Sequence, residues 1–128
     1  MEIRFSAVLI FLAGLATGTV AVQGLHAASA PPVYVVTEVE VTDLDAYQKN
    51  YVPPIQASIK ASGGRLVAAG QNVVGLEGSP PAARVAINEF DDLDAVRAWR
   101  NSAQYKEARK IGDRYAKFRS FAIQGLSR

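Results

Sequence analysis

The segment Val33–Val41 constrains the fold of this chain more strongly than any other part of its sequence. Its residues, VYVVTEVEV, are rich in β-branched side chains and alternate along the chain, which is typical of a β-strand. Valine and threonine occupy one face of this strand, while Tyr34 and Val36 share the other face with two glutamates. Because apolar side chains point to both sides, a sheet built on this strand needs cover on both faces.

The sequence after this strand predicts a helix that begins at Leu44. Thr42 or Asp43 can cap it, and apolar residues then follow at helical spacing. Two consecutive prolines at positions 53 and 54 interrupt the pattern, so we expect two short helices or one helix with a sharp kink. The glycine pair at 63 and 64 ends this helical region.

The rest of the chain predicts three more strands and a second helical region. The strands are Arg65–Ala69, with a continuation over 73–76 beyond a bend, then Arg84–Phe90 and Phe118–Gln124. Between the last two strands, an acidic pair at 91–92 opens one helix and Ser102 caps another. The order β-α-β-β-α-β predicts an α+β, ferredoxin-like fold, with a four-stranded antiparallel sheet and helices on one face.

The predicted helices leave the other face of the sheet bare, although apolar side chains point toward it. On the third predicted strand, Val85 and Ile87 alternate with Ala86 and Phe90, so that strand is also apolar on both sides. A second copy of the same sheet is the simplest cover. We therefore expect a homodimer in which two sheets pack face to face as an α/β barrel.

The N-terminal region predicts an export signal. Residues 5–22, FSAVLIFLAGLATGTVAV, carry no charge, and small residues follow at 27–30. We expect a signal peptide over 1–30, cleaved after Ala27 or Ala30, and then a single domain over 31–128. An uncleaved membrane anchor is the alternative, because the apolar run is barely long enough to span the hydrocarbon of a bilayer. The protein is therefore expected to be periplasmic or secreted, with membrane contact only through an uncleaved signal.

The residue types that are missing exclude several kinds of chemistry. The chain has no cysteine and one histidine, His26, which lies beside the expected cleavage sites. The domain after the signal then has no thiol nucleophile, no Ser-His relay, no imidazole or thiolate metal site and no disulfide. The acidic residues near the first strand are better interpreted as a solvated edge and helix caps than as a cation site. We expect neither a metal nor an organic cofactor.

Charge is distributed unevenly along the chain. Acidic residues outnumber basic ones before residue 97, and basic residues outnumber acidic ones after it. The basic residues lie opposite the apolar stripe of the last predicted helices, where nucleic acid, an anionic membrane or an acidic partner could bind them. Because no aromatic residues interleave with these bases, we expect a solvated helix face and no nucleic-acid partner.

Glu89 is the candidate catalytic residue. It alternates with valine and isoleucine on the third predicted strand, so a carboxylate shares a largely apolar face. Such surroundings suit a general acid or base. The alternative is a structural ion pair with a basic residue: Arg65, Arg84 or Arg119.

A second set of candidates lies at the break between the last two predicted helices. Aromatic walls and small polar groups there predict a pocket for a small molecule, formed by Trp99, Asn101, Ser102 and Tyr105. The alternative is that both aromatic residues are core and the serine only caps a helix. Tyr34 is a further candidate, because it shares a strand face with a glutamate inside the expected barrel.

Short motifs along the domain resemble a known family. They are Asp45-x-Tyr47-x-x-x-Tyr51, Gly63-Gly64-Arg65, Leu76-Glu77-Gly78, Arg84-Val85, Glu89-Phe90, Ala98-Trp99 and Asn101-Ser102-x-x-Tyr105. Over Val33–Leu126 the pattern resembles the domain-of-unknown-function family numbered 1330. That family is similar to the dimeric α/β-barrel proteins, a ferredoxin-like group with several cofactor-free enzymes and stress proteins. The resemblance implies the same homodimer. Where the family commonly has Arg-Gly-Gly, this chain has Ala69-Gly70-Gln71, so an anion site built on that basic residue is not expected.

These observations lead to three functional hypotheses. The first is an exported homodimer that binds a small apolar or aromatic molecule between sheet and helices. The second is a cofactor-independent enzyme, monooxygenase- or isomerase-like, in which Glu89 is the acid/base and Tyr105 or Ser102 positions the substrate. The third is a structural or stress-related dimer with a filled barrel.

Overall fold

The computed structural model describes residues 30–127. The predicted signal peptide, apart from its last residue, and His26 lie outside the described residues. Across 30–127, none of the helices has both the length and the apolar character that a membrane crossing requires.

Four strands form one antiparallel sheet. They are β1 (Val33–Val41), β2 (Arg65–Gly70), β3 (Arg84–Phe90) and β4 (Ala116–Gln124), in the spatial order β2-β3-β1-β4. The helices are α1 (Leu44–Ala46), α2 (Val52–Ala61), α3 (Leu93–Asn101) and α4 (Ala103–Gly112). This arrangement confirms the predicted α+β, ferredoxin-like fold.

The first helical region is continuous, and its predicted interruption takes the form of a π-helical turn over Tyr47–Tyr51 between α1 and α2. Asp43 caps α1, because its carboxylate accepts a hydrogen bond from the Ala46 amide at 3.1 Å. The two prolines lie in the first turn of α2. There the amide hydrogens they lack are not needed for the helix. The predicted sharp kink is thus replaced by a single wide turn.

The predicted continuation of the second strand over 73–76 is wrong. β2 ends at Gly70, which pairs with Val85, and β3 begins only one residue before Val85. Residues 73–76 therefore have no strand to pair with. The register shift in this hairpin lies between Leu66 and Ala68 instead of at the predicted bend.

Between the sheet and the helices, the core consists of two separate clusters of buried side chains. One contains Val33, Val35, Ile59, Phe90, Val96, Trp99 and Tyr105. The other contains Val39, Tyr47, Tyr51, Ala108 and Ala116. Ile55 of α2 packs against both clusters. A cavity lies between them.

The opposite side of the sheet, which we call the open face, carries a row of apolar side chains. The register aligns Tyr34 with Ile123, and Val36 with Ile87 and Phe121. Phe121 and Ile123 keep 48% and 57% of their surface exposed. Two ion pairs lie on the same face at 2.7 and 2.8 Å, Glu38–Arg119 and Glu89–Arg65. The open face is therefore an apolar surface crossed by ion pairs.

Candidate functional site

A cavity of about 90 Å³ lies between the two core clusters and is partly open to solvent. We call it the central cavity. On its sheet side it is lined by small or polar residues, Thr37, Ala86, Asn88 and Ser120. The Thr37 and Ser120 hydroxyls are hydrogen-bonded to each other at 2.9 Å. Because these side chains are short, they leave space on the helix side of the sheet.

Aromatic side chains form much of the wall of the central cavity. Tyr47 and Tyr51 come from the π-helical turn, and their ring centroids are 5.2 Å apart. Trp99 of α3 and Tyr105 of α4 meet edge to face at 4.8 Å. π-helical turns are rare and occur frequently at functional sites. This one places two buried phenol rings on the same cavity.

The orientation of the Trp99 ring is fixed by a buried hydrogen-bond chain. Its indole N–H donates to the Ser58 hydroxyl at 3.0 Å, and that hydroxyl donates to the Ile55 carbonyl at 2.7 Å. Ser58 is fully buried. Because the only polar atom of the indole is satisfied within the protein, Trp99 offers the cavity an apolar surface.

Asn88 is the polar residue beneath the cavity, and it was not among the predicted site residues. It is 4% exposed, and its Oδ1 has no hydrogen-bond partner in the described structure. Leaving a buried acceptor unpaired costs about 1–3 kcal/mol. A signal for it exists in the sequence: the alternation of RVAINEF places this asparagine on the same side as Ala86 and Phe90, toward the core.

Two arginines also line the cavity. The guanidinium of Arg100 lies 4.7 Å from the centroid of the Tyr105 ring, and that of Arg109 lies 3.7 Å from the Phe118 ring. Arg109 Nε also donates to Asp113 at 2.9 Å. No carboxylate is among the described residues that line the cavity. The fixed charges on its wall are therefore positive, which favours an anionic group nearby.

The two phenols of the π-helical turn stay protonated at neutral pH. Burial raises the pKa of Tyr51 well above its ordinary value, although the neighbouring Arg109 opposes this shift. Burial also raises the pKa of Tyr47, and Arg84 partly offsets it. Both groups are therefore neutral hydrogen-bonding groups in the cavity wall.

The structure brings together only part of the predicted pocket. Trp99 and Tyr105 both line the central cavity. Ser102 caps α4, since its Oγ accepts from the Tyr105 amide at 3.2 Å and donates to the Trp99 carbonyl at 2.7 Å. Asn101 is exposed and does not line the cavity. The capping alternative thus describes the contacts of Ser102.

Glu89 and Tyr34 lie on the open face, where the register places them side by side. The Glu89 carboxylate accepts a hydrogen bond from Arg65 Nη2 at 2.8 Å, so one of the expected ion pairs is present. Successive residues of a strand point to opposite faces. Because the preceding residue, Asn88, lines the central cavity, Glu89 points away from it and does not line it together with Trp99.

The acidic side chains of residues 30–127 are scattered. No cluster of three or more histidine, cysteine, aspartate or glutamate side chains is close enough there to hold an ion.

The strand order, the antiparallel pairing and the cavity between two layers define a ferredoxin-like α+β protein. Residues 32–126 match the family model described as "Domain of unknown function (DUF1330)", and the chain belongs to this family. The resemblance noted from the sequence motifs is thereby confirmed. A search of curated proteins found no match.

Several solved structures share the fold. A protein of unknown function from Rhodopseudomonas palustris, RPA0582, has a TM-score of 0.60 and 19% identity, covering 86% of this chain and 94% of that one. SnoaB, a cofactor-independent oxygenase from Streptomyces nogalater, has a TM-score of 0.56 and 13% identity, covering 76% and 95%. HapK from Hahella chejuensis has a TM-score of 0.55 and 15% identity, covering 73% and 92%. At these identities the likeness concerns the fold alone.

Proposed function

We propose that this protein is an exported homodimer that binds a small apolar or aromatic molecule in the central cavity. The observation that carries the proposal is the cavity itself, which has aromatic walls and short side chains on its sheet side. Ligand sites are typically concave and mostly apolar, with a few polar groups that fix orientation. Packed cores rarely leave voids larger than a water molecule. A space of about 90 Å³ is therefore more typical of a ligand site than of a packed core.

The size of the cavity limits the ligand. An engineered, enclosed cavity of about 150 Å³ holds one benzene molecule. A space of about 90 Å³ is smaller, but it is partly open to solvent. The ligand is therefore at most a single ring whose substituents remain in the opening, and a large polycyclic molecule does not fit without movement of the walls.

The cavity-filling variant Ala86→Leu tests the proposal. Leucine at this position extends into the central cavity, so it should abolish binding without lowering the melting temperature. Ala98→Leu, on the exposed side of α3, is the matched control and should bind like the wild type. Binding is measured by chemical-shift changes and thermal shift with a library of single-ring compounds. If no compound acts on the wild type, or if both variants bind equally, the cavity is not a ligand site.

The homodimer in this proposal draws its support from the open face. Large exposed apolar patches on soluble proteins mark interaction sites. A second copy presents the same row of apolar residues, and two sheets packed face to face satisfy the need for cover on both sides. Sedimentation equilibrium at micromolar concentration tests this, and a stable monomer would contradict it.

Export is part of the same proposal, and it rests on the sequence of residues 1–30. Mass spectrometry of the protein from fractionated cells should find a mature chain that begins at residue 28 or 31. A full-length chain in the membrane fraction would instead support the uncleaved anchor.

The enzymatic alternative has less support in the arrangement of side chains. SnoaB is a cofactor-independent oxygenase with a similar fold, but at 13% identity. In this chain the candidate acid/base Glu89 is paired with Arg65 on the open face, away from the central cavity. We therefore place binding ahead of catalysis. Loss of turnover in Glu89→Gln with ligand binding retained would reverse this order.

A further inference from the structure

The polar groups around the central cavity specify the chemistry of its ligand. We infer that the cavity binds a single-ring aromatic acid that also carries a hydroxyl group, with the hydroxyl on Asn88 and the carboxylate toward Arg100 and Arg109. This inference rests on the proposed function, because it assumes that the cavity is a ligand site.

The hydroxyl group is inferred from Asn88. This side chain is almost completely buried, lines the cavity, and has an unpaired Oδ1. Buried polar groups in proteins are nearly always hydrogen-bonded. Oδ1 itself has almost no exposed surface, so a donor in the cavity satisfies it once the amide rotates toward the opening. A ligand that brings an O–H to this position removes the cost of the unpaired acceptor, which a purely apolar ring does not.

The carboxylate is inferred from the arginines. Arg100 and Arg109 are each held against an aromatic ring, at 4.7 and 3.7 Å, and both line the cavity. Guanidinium groups recognise carboxylates through two parallel hydrogen bonds. No carboxylate is among the described lining residues, although Asp113 is paired with Arg109 from outside the wall at 2.9 Å. Arg100 therefore supplies most of the attraction for an anionic ligand.

The positions of these groups fix the pattern of substitution on the ring. Asn88 belongs to the sheet, whereas Arg100 and Arg109 belong to α3 and α4 on the other side of the cavity. A ligand that reaches both must carry its hydroxyl and carboxylate at opposite ends. Tyr51, Trp99 and the other aromatic walls accept the ring between them. The simplest probe with this geometry is 4-hydroxybenzoate.

Four related probes test the inference on the wild-type protein: 4-hydroxybenzoate, benzoate, phenol and toluene. Dissociation constants are measured by calorimetry or by chemical-shift titration. We expect 4-hydroxybenzoate to bind most tightly. Benzoate, which lacks the hydroxyl, should bind about tenfold more weakly, since one well-made buried hydrogen bond corresponds to about that factor. Phenol, which lacks the carboxylate, should bind at least tenfold more weakly than 4-hydroxybenzoate. The part of the affinity that the carboxylate contributes should fall with added salt.

Two variants then assign each group to its residue. Asn88→Leu should remove the difference between 4-hydroxybenzoate and benzoate while benzoate still binds. Arg100→Gln should weaken both acids about equally and leave phenol unchanged. Arg97→Gln is the matched control, because it removes the same charge from the same helix but does not line the cavity. Equal losses in Arg97→Gln and Arg100→Gln would overturn the role given to the arginine.

The failure of this inference is distinct from the failure of the proposed function. If toluene and phenol bind as tightly as the acids, and Ala86→Leu abolishes that binding, the cavity is a ligand site but the inferred ligand class is wrong. If none of the probes and no other single-ring compound binds, both proposals fall. Because the probe series uses the wild-type protein, it decides the question even if Asn88→Leu does not fold.

Discussion

The two faces of the sheet differ in what they lack. The helix-covered face is buried within the chain but incompletely filled, with a cavity of about 90 Å³ between two apolar clusters. On the open face, Phe121 and Ile123 remain about half exposed. In the proposed function, the covered face binds a molecule small enough to enter its cavity, whereas the open face binds a surface as broad as itself.

Neighbouring residues of β3 show the same contrast at atomic scale. Asn88 points to the covered face and is buried with an unpaired acceptor. Glu89 points to the open face and is paired with Arg65. A full charge is thus accommodated on one side by an ion pair. A neutral amide on the other side is left unpaired at a cost in stability, which is typical of sites where function opposes stability.

The largest effect is expected from Trp99→Ala on the covered face. Removing a large buried aromatic side chain costs about 3–5 kcal/mol. It also removes the indole N–H that donates a hydrogen bond to the Ser58 hydroxyl. Chemical denaturation should show this loss, and the exposed variant Arg97→Ala should stay within about 0.5 kcal/mol of the wild type. A small effect of Trp99→Ala would mean that the covered face is not the main source of stability.

On the open face, Phe121→Lys should separate the subunits of the proposed homodimer without unfolding them. A charge in the centre of an apolar interface removes an anchor worth about 2 kcal/mol or more, so the dimer should dissociate at micromolar concentration. Gln124→Lys, at the end of the same strand, is the control and should remain dimeric. Sedimentation and circular dichroism together measure this. If the sedimentation mass of Phe121→Lys equals that of the wild type, the open face is not the subunit interface.

Alkaline pH should act through the covered face. Because burial raises the pKa of Tyr51, the folded protein keeps this proton at pH values where the unfolded chain loses it. The stabilisation that protonated Tyr51 adds to the free energy of unfolding is fully present below about pH 10. It is lost as pH rises above that value, at up to about 1.4 kcal/mol per pH unit. Urea denaturation between pH 8 and 11 should show the decline, and Tyr51→Phe should reduce its slope. An equal slope in both proteins would contradict the assignment to Tyr51.

The smallest effect is expected from Asn88→Leu, and its sign is opposite to that of the core variant. Leucine has nearly the same shape as asparagine and removes the unpaired acceptor, so the unfolding free energy should rise by about 1 kcal/mol. Thermal and urea denaturation measure it. A loss of stability instead would show that Oδ1 has a hydrogen-bond partner in solution. A ligand hydroxyl would then not be needed to satisfy it.

The sequence was sufficient to predict the elements whose pattern is local. The alternation of Val33–Val41 and the aspartate cap before α1 appear in the structure as expected. The extension over 73–76 failed because its existence depends on the length of β3, and no pattern within 73–76 contains that information.

The candidate site was predictable only in part, for a related reason. The predicted break between two helices placed Trp99 and Tyr105 in one pocket. The cavity also depends on Thr37, Ala86 and Ser120 meeting in one place, and the registers of β1 with its two neighbours determine that meeting. Likewise, alternation shows that Glu89 faces away from its strand neighbours, but only packing determines which side receives the helices.

The π-helical turn has a consequence for how the site can change. Its defining hydrogen bond runs from the Val52 amide to the Tyr47 carbonyl, five residues back, so it contains one residue more than an α-helical turn. Each residue of an α-helix advances the helix by about 100°. Deleting one residue here would restore a regular helix and rotate every preceding side chain by that angle, turning Tyr47 out of the cavity wall. A single codon thus separates a helix that lines the cavity with two phenols from one that offers only one.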